Sequence, residues 1–475
     1  MHHAPLSVGA GDNRILSRGR RDRSPANRRL AGALLAISAC VSAAHASAQA
    51  PPELPVLTLD EAIARALTSN RLVASAALDV SRAEERVAAA KSNRWPTLSL
   101  TVLASRLLTP IDFEFEKGVF GDFPGVGPIP AEDTEIGSPR GFTTLGLGQL
   151  QFPISQQYEI GLSVRLNSAS LDTAREELRQ QKQAVVNDVR RAYYGILSAE
   201  SALAAADESL TLAREVERVV GERLRAQKAL EVDQIEARAR VSRSDAGAFS
   251  ARNAVATQKE QLNLLLGRDL GSDFRVVSVV EQPAYPGDLA AARSRARELQ
   301  PALKEAELKV VQAEFAWRLA KAEFLPDLGF QANYVSPYSS EFLPRNIFSI
   351  GFFLSWDVFD AGKRKHEAAE KAHALEQAKL AVAQTESAIA VDVGREFRRF
   401  EQSRRELTAS ELERSARRER LRISKDQFRA EVVTAEQLLR AQSDLADADR
   451  QYVQALSTFW SARADLERAV GEESW

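Results

Sequence analysis

The distribution of proline constrains the fold of this chain more than any other feature. The 475 residues include 18 prolines, and none of these lies between Pro153 and Pro283 or after Pro344. Proline inside a helix costs about 3 kcal/mol, and both stretches are dense in good helix formers such as Ala, Leu, Glu and Arg. The sequence therefore predicts two long helices, over about 157–224 and 361–428, each ending at a short break.

Helices of this length cannot pack inside a compact domain, because each would be roughly 100 Å long at about 1.5 Å per residue. They belong to a coiled coil or to the wall of a tube. The composition agrees with this interpretation, since 27% of the residues are charged and only 7% are aromatic. That balance suits long solvated helices better than one thick core.

The two helical stretches belong to an internal repeat. At an offset of 204 residues, VVNDVRRAYYG at 185–195 aligns with IAVDVGREFRR at 389–399. Upstream the offset is 230, so the first copy carries 26 extra residues in a segment rich in Gly, Pro and acids. That composition predicts a loop that adds nothing to a core. We predict two repeats, 49–275 and 276–475, each with a helix, a strand pair, a long helix, a tip and a return helix.

A proline ends the helical pattern once in each repeat, at Pro96 and at Pro326. Alternating apolar and polar residues follow at once, and a period of two places them on opposite faces of a strand. Proline cannot continue a helix but is accepted at the first residue of a strand. We predict four strands in two pairs, at about 96–105 with 142–154 and at about 326–336 with 346–359.

Each strand has about ten residues, the length of a transmembrane β-strand that turns its apolar side chains to lipid. The side chains predicted to face lipid are Leu98, Leu100, Val102, Leu328, Phe330, Tyr334, Phe348, Ile350, Phe352, Leu354 and Trp356. Leu145, Leu147 and Phe353 interrupt the alternation, because they fall on the predicted polar face. An ordinary half-buried hairpin on a soluble domain is the alternative interpretation of the same pattern.

Two strand pairs are too few to span a membrane alone, because lipid does not tolerate open sheet edges and closed barrels start at about eight strands. Three chains would supply twelve strands. We therefore predict a mainly α fold with a small β part. Long antiparallel helical hairpins would form an α-barrel, and four strands per chain would close as a twelve-stranded β-barrel in a trimer.

Residues 1–48 are predicted to be an export signal, with a basic lead-in, a short apolar run and a small-residue cleavage site before Gln49. A competing site at 37–40 is similar to a lipobox and would place a lipid on Cys40. The alternative for Cys40 is a small apolar residue in the core of the signal. Cys40 is the one cysteine of the chain, so the mature protein is predicted to contain no disulfide.

Several motifs together resemble the TolC family of outer-membrane efflux channels. They are LTLDEAIARAL after the signal, the pair WPTLSL and LPDLGF, LSWDVFDAGKRK, RRAYYGIL and the closing RADLERAVG. The resemblance covers essentially the whole mature chain. It implies a homotrimer in the outer membrane of a Gram-negative bacterium, with a β-barrel in lipid and an α-barrel across the periplasm. It also implies two partners, a periplasmic adaptor and an inner-membrane pump of the RND, ABC or MFS class.

In that family the turns between long and short helices form a periplasmic tip, where the pore narrows and the adaptor docks. The matching residues here are Ala229, Leu230, Glu231, Val232 and Asp233 in the first repeat and Val432, Val433, Thr434, Ala435, Glu436, Gln437 and Arg440 in the second. Asp233 stands where the family places a gate-region acid; the alternative is a solvated acid at a helix N-terminus. Gln437 and Arg440 depart from the acidic pair that some members carry.

No residue pattern in the chain indicates catalysis. His366 and His373 are seven residues apart, and a metal site would need further ligands. Asp188 and Asp392 share a repeat position, which favours packing or tunnel lining over acid–base work. Arginine clusters are interleaved with glutamate, unlike a nucleic-acid patch. We therefore expect no enzyme activity, no cofactor, no metal and no nucleic acid.

Two functions follow from these patterns. The first is a passive exit duct for small molecules or for type I secretion, which an adaptor opens and an inner-membrane pump powers. The second is a periplasmic coiled-coil adaptor or scaffold, which would account for the signal and the helices but not for the strand pairs.

Overall fold

The structure is a computed structural model of the chain. It describes residues 55–106, 108–109, 111–138, 142–228, 230–277, 287–338, 344–430, 432–433 and 435–472. The predicted signal at 1–48, with Cys40, lies outside the described residues. So do Ala229 and Thr434 of the predicted tip.

Helices make up most of the described chain. In chain order they are α1 (Leu59–Ser69), α2 (Arg71–Ser92), α3 (Gln157–Arg225), α4 (Glu231–Leu265), α5 (Leu289–Leu299), α6 (Pro301–Ala322), α7 (Lys363–Arg429) and α8 (Ala435–Val470). Their lengths are 11, 22, 69 and 35 residues in the first half of the chain and 11, 22, 67 and 36 residues in the second. In the described ranges, every helix is too short or too polar to cross a membrane.

The strands are shorter. In chain order they are β1 (Val56–Leu57), β2 (Thr97–Arg106), β3 (Ile111–Phe115), β4 (Asp122–Phe123), β5 (Gly127–Pro128), β6 (Thr134–Ser138), β7 (Phe142–Pro153), β8 (Arg275–Val276), β9 (Asp327–Pro337) and β10 (Ile347–Ser355). β1 and β8 pair in parallel, and every other pair among the described strands is antiparallel.

The two long helices confirm the prediction from the proline-free stretches, with one correction. α3 spans 69 residues from Gln157. α7 begins at Lys363 rather than at residue 361. Ala361 and Gly362 have φ angles of 54° and 87°, and left-handed residues cannot form the first turn of a right-handed helix.

Side-chain caps fix where α1 and α2 begin. The Thr58 hydroxyl accepts a hydrogen bond from the Glu61 N–H at 3.3 Å, and the Glu61 carboxylate accepts one from the Thr58 N–H at 3.0 Å. This reciprocal capping box starts α1. Asn70 starts α2, because its Oδ1 accepts from the Leu72 N–H at 2.8 Å. The Asn70 amide also donates to the Leu265 carbonyl at 2.9 Å, which ties the start of α2 to the end of α4.

β2, β7, β9 and β10 form one antiparallel sheet in the order β10–β9–β7–β2. Its edge strands are therefore β2 and β10. β10 ends at Ser355, which pairs with Asp327. Trp356, predicted to lie within this strand, lies just beyond it, which corrects the prediction. Pro326 precedes Asp327 and has no N–H to extend the ladder, so the pairing stops there.

The register of the sheet places apolar side chains from all four strands together on one face. Leu98 lies opposite Leu150, which lies opposite Ala332, which in turn lies opposite Ile350. On the two edge strands this face is open, with Leu98 79% exposed and Ile350 78% exposed. An apolar surface that extends across a sheet marks a site of interaction with lipid or protein.

α3 is the centre of the helical part. It packs against α2 and α4, and also against α6 and α8, while α7 packs against α6 and α8. The buried core lies where α1 and α5 meet the long helices, near the β1–β8 pair, and it includes Tyr193, Phe274 and Phe400. The Tyr193 hydroxyl accepts from the Val277 N–H at 2.8 Å and lies 3.0 Å from the Leu57 carbonyl oxygen. It thereby joins α3 to both segments of the parallel pair.

Candidate functional site

The apolar face of the sheet contains the strand residues predicted to face lipid. They are Leu98, Leu100 and Val102 on β2, Leu328, Phe330 and Tyr334 on β9, and Phe348, Ile350, Phe352 and Leu354 on β10. On β9 the rings are half-buried by the neighbouring strand. The ring centroids of Phe330 and Phe352 are 5.7 Å apart, and those of Tyr334 and Phe348 are 4.7 Å apart. The face is thus an aromatic and aliphatic layer rather than a set of isolated side chains.

Phe353, which interrupts the alternation of β10, is accounted for by its cross-strand neighbour. It pairs with Gly329 on the opposite face of the sheet. A Cβ atom at Gly329 would overlap the Phe353 ring. The Phe353 ring therefore lies over the Gly329 backbone, in the space that a side chain at position 329 would fill. Aromatic residues commonly cover glycine in this way in sheets.

The segment between β2 and β7 forms a small folded lobe at the end of the sheet away from the helices. β3 pairs with β6, and β4 with β5. Hydrogen bonds fold the intervening chain back, with the Phe120 N–H donating to the Ile129 carbonyl at 3.0 Å. The expectation of a plain loop without core is therefore wrong: the alternation of Phe113 and Phe115 with acids gives β3 one apolar face. A cavity of about 320 Å³ lies against it, lined by Phe113, Phe115, Phe120, Ile129, Pro130 and Ile136.

The predicted tip of the first repeat is the turn from α3 to α4. Leu230 and Val232 are exposed there, and Glu231 is the first residue of α4. The Asp233 carboxylate accepts a hydrogen bond from the Leu230 N–H at 2.8 Å. Asp233 thus caps the first turn of α4. This is the role of a helix N-terminal acid, the alternative that the sequence offered to a gate-region acid.

The tip predicted for the second half of the chain is the turn from α7 to α8. Val432 is exposed and Val433 is half-buried. Ala435 and Glu436 lie in the first turn of α8, and Gln437 and Arg440 follow with exposed side chains. Each turn therefore presents a valine to solvent at the end of a helical hairpin.

A buried carboxylate, Asp465, joins three helices at the middle of the chain's helical part. Its side chain is 2% exposed. It accepts hydrogen bonds from Asn187 at 3.1 Å and Arg399 at 3.2 Å, and it also pairs with Arg191. Asn187 and Arg191 lie on α3 and Arg399 lies on α7, so Asp465 fixes α8 between the two long helices.

A second carboxylate supports the same junction. Glu467 accepts hydrogen bonds from Arg190 of α3 at 2.6 Å and from Arg463 of α8 at 2.8 Å. The sequence RADLERAVG, which contributes to the family resemblance, gave no prediction of this role. The signal was present, since two acids interrupt a helical end that is otherwise buried and apolar at Ala464 and Leu466.

The acidic and histidine residues that the sequence singled out do not form a common catalytic or metal site in the described structure. Asp188 is exposed on α3, and Asp392 pairs with Arg395. His366 and His373 both lie on α7. The described residues contain no group of three or more His, Cys, Asp or Glu side chains that could hold a metal ion.

Comparison with known structures shows the fold. The chain is similar to the CmeC outer membrane channel of Campylobacter jejuni, with 14% identity over 88% of this chain and 87% of that chain and a TM-score of 0.71. It is also similar to the outer membrane protein VceC of Vibrio cholerae, with 15% identity, coverage of 87% and 96%, and a TM-score of 0.65. The open state of the MtrE outer membrane channel of Neisseria gonorrhoeae gives 18% identity, coverage of 87% and 89%, and a TM-score of 0.67.

A search of curated proteins finds no match to this chain. The family model described as outer membrane efflux protein matches residues 62–268 and 292–472. These two ranges contain most of α1 and of α5, all of the other six described helices, and all four strands of the sheet. The chain therefore belongs to the outer membrane efflux protein family, and it is an efflux channel protein that lies in the outer membrane of a Gram-negative bacterium and extends into the periplasm.

Proposed function

We propose that three copies of this chain close into one continuous exit duct. The observation that carries this proposal is the sheet order β10–β9–β7–β2, which leaves the outer flanks of β2 and β10 without a partner in the described chain. Lipid does not tolerate such edges, and four strands cannot close a barrel. A sister copy that pairs its β10 with β2 removes both edges, and three copies complete a twelve-stranded barrel. The apolar face then meets lipid.

The helices support the same assembly. α2 and α4 pack mainly on α3, and α7 packs on α6 and α8. The helices therefore lie side by side in the orders α2–α3–α6–α7 and α4–α3–α8–α7. In both orders the outer flank is open, at α2 or α4 on one side and at α7 on the other. Packing of one copy's α7 against the next copy's α2 and α4 would continue the helical wall around the axis. The order of helix lengths, which is similar in the two halves, agrees with the proposed internal repeat over 49–275 and 276–475.

The duct is proposed to be passive. An adaptor docks at the tip residues that are exposed here, which include Leu230, Val232 and Val432, and spreads the helical hairpins. A pump of the inner membrane, of the RND, ABC or MFS class, supplies the energy. Residues 1–48 direct export and are removed, with a lipid on Cys40 as the competing outcome. The alternative of a periplasmic adaptor is not favoured, because the family is one of outer-membrane channels.

Migration of the unheated protein tests the assembly. The protein is extracted from outer membranes and run on a denaturing gel with and without boiling. We expect a band at the mass of three chains that converts to one chain on boiling. A protein that stays folded, monomeric and soluble without detergent after export would contradict the proposal.

Crosslinking at the tip tests the docking surface. The one cysteine of the chain is Cys40, so Val232→Cys introduces a single thiol into the protein once residues 1–48 are removed, and a photoreactive label can be attached there. We expect labelled Val232→Cys to capture a periplasmic protein with an adaptor's lipoyl-type domain. Leu270→Cys is the matched control, because Leu270 is apolar and 51% exposed but lies just after the C-terminal end of α4, at the end of that helix opposite to the tip. Equal capture at both positions would contradict docking at the tip.

A further inference from the structure

The face of the sheet opposite the lipid-facing layer is not uniformly polar. Near the helices, its cross-strand rows consist of hydroxyl, amide and glycine residues. These rows are Thr97–Gln151–Gln331–Gly351 and Ser99–Gln149–Asn333–Ser349. Phe353 adds one ring at this end, over Gly329. The wall here is the polar surface expected of a water-filled channel.

The next two rows, which lie further from the helices, are mainly apolar. Leu147 lies opposite Thr101 on one side and opposite Val335 on the other, and Val335 pairs with Ile347. In the next row, Leu145 lies between Leu103 and Pro337. These rows contain the two leucines that interrupt the alternation of β7. They are therefore not random exceptions, because each of the two rows brings together apolar residues from three neighbouring strands.

A polar row follows these two rows toward the lobe. The Ser105 and Thr143 hydroxyl groups are 2.7 Å apart, and these residues pair directly across β2 and β7. The apolar zone is therefore a band, with polar residues on both sides of it. We call its five large side chains, Leu103, Leu145, Leu147, Val335 and Ile347, the apolar collar.

We propose that the apolar collar lines the outward end of the lumen and contacts the apolar parts of small exported molecules. This inference rests on the proposed closure of three copies, since the collar faces a lumen only if the opposite face meets lipid. In the closed barrel every copy contributes Leu147, Val335 and Ile347 to one ring. An apolar wall offers no hydrogen bonds to a hydrated ion, but it can still make favourable contacts with the hydrocarbon part of a solute. The collar would therefore favour apolar neutral solutes over ions at the exit.

Single-cysteine variants test the collar. Leu147→Cys and Gln149→Cys are two residues apart on the same face of β7, the first in the collar and the second in a polar row. Each is labelled with a small fluorophore in the detergent-purified protein, which is then placed in lipid nanodiscs. Fluorescence quenching is measured with iodide, a hydrated anion, and with trichloroethanol, a neutral apolar molecule. We expect the ratio of trichloroethanol to iodide quenching to be about fourfold higher at position 147, the factor that burial of one methylene group provides.

A further variant separates the collar from quencher dissolved in the lipid. In the Leu147→Cys protein, Val335→Asn and Ile347→Ser give the collar the residues of the polar row and leave the lipid-facing side chains unchanged. We expect the ratio to fall to that of Gln149→Cys. Equal ratios at positions 147 and 149, or no quenching by either molecule at position 147, would overturn the collar. A band at the mass of one chain in unheated samples would instead contradict the proposed trimer, so the two failures are distinguishable.

Discussion

Arg364 holds Asp360 in the turn through which the sheet passes into α7. The Arg364 Nε donates to the Asp360 carboxylate at 2.6 Å, and its Nη1 donates to the Glu323 carbonyl at 2.9 Å. The arginine side chain is only 14% exposed. Glu323 is the C-terminal cap of α6, so one guanidinium joins the end of the helix that enters the sheet to the start of the helix that leaves it. The hydrogen bond from Arg364 lowers the pKa of Asp360 to about 2.

This contact predicts that the turn between β10 and α7 is sensitive to acid. The pKa of Asp360 in the folded protein lies below its ordinary value of 3.8, so its ionised form stabilises the fold above about pH 4 and the contribution is lost as the pH falls through about 2. We expect Asp360→Asn to lower the dissociation temperature of the proposed trimer at pH 7, and the difference from the original protein to shrink below about pH 4. Heat-modifiable migration after incubation at each pH measures this temperature.

Glu367→Gln is the matched control for this prediction. Glu367 lies 3.9 Å from Lys363 in an exposed pair, and exposed pairs contribute about 0–1 kcal/mol. A dissociation temperature that responds equally to both substitutions would show that Asp360 stabilises the turn between β10 and α7 no more than an exposed pair does.

Lysine scanning of β10 tests which face meets lipid. Ile350→Lys places a charge in the apolar layer, where it is expected to cost about 2–4 kcal/mol near the membrane midplane. Ser349→Lys is the control, because Ser349 is the adjacent residue on the opposite face, where a lumen would keep the ammonium in water. We expect loss of the trimer band from the outer membrane for Ile350→Lys and normal levels for Ser349→Lys. The reverse order would show that the sheet faces have been assigned wrongly.

Removal of Asp465 is expected to loosen the junction of α3, α7 and α8. Asp465→Ala leaves Asn187, Arg191 and Arg399 without their shared acceptor, and the expected loss is about 1–3 kcal/mol of unfolding free energy, since the two arginines retain access to water. Asp447→Ala is the control: Asp447 pairs with Arg450 on the surface of α8, with side chains 53% and 59% exposed, and should cost about 0–1 kcal/mol. Urea denaturation of the detergent-solubilised protein, followed by circular dichroism, compares the two. Equal midpoints for both variants would contradict a structural role for Asp465.

The pair of Gly329 and Phe353 should behave as one unit. Gly329→Ala is expected to destabilise the proposed trimer by about 1–3 kcal/mol, because the added methyl group meets the Phe353 ring and forces it to move. In a Phe353→Ala background the same change should cost little, since the overlap is gone. Thermal dissociation of the four proteins gives the coupling energy of the pair. Additive effects of the two substitutions would mean that the ring does not cover Gly329.

Local patterns were sufficient to predict the elements that dominate this structure. The absence of proline between Pro153 and Pro283 predicted α3, and the alternation after Pro326 predicted which residues of β9 share a face. Both depend only on backbone geometry within a few residues. The same reasoning placed Trp356 inside a strand, because alternation continues past Ser355 although the paired strand does not.

Contacts between distant segments were decided only by the tertiary structure. Leu147 and Val335 lie in different halves of the chain, and only the hydrogen-bond register between β7 and β9 places them side by side; alternation within one strand does not encode that register. Asp465 is one acid among many in a charged helix until packing brings Asn187 and Arg399 to it. The sequence by itself therefore determined helix length, strand position and which side chains share a strand face. Only the tertiary structure decided which rows of side chains align and which charges are buried, because those properties depend on residues that are far apart along the chain.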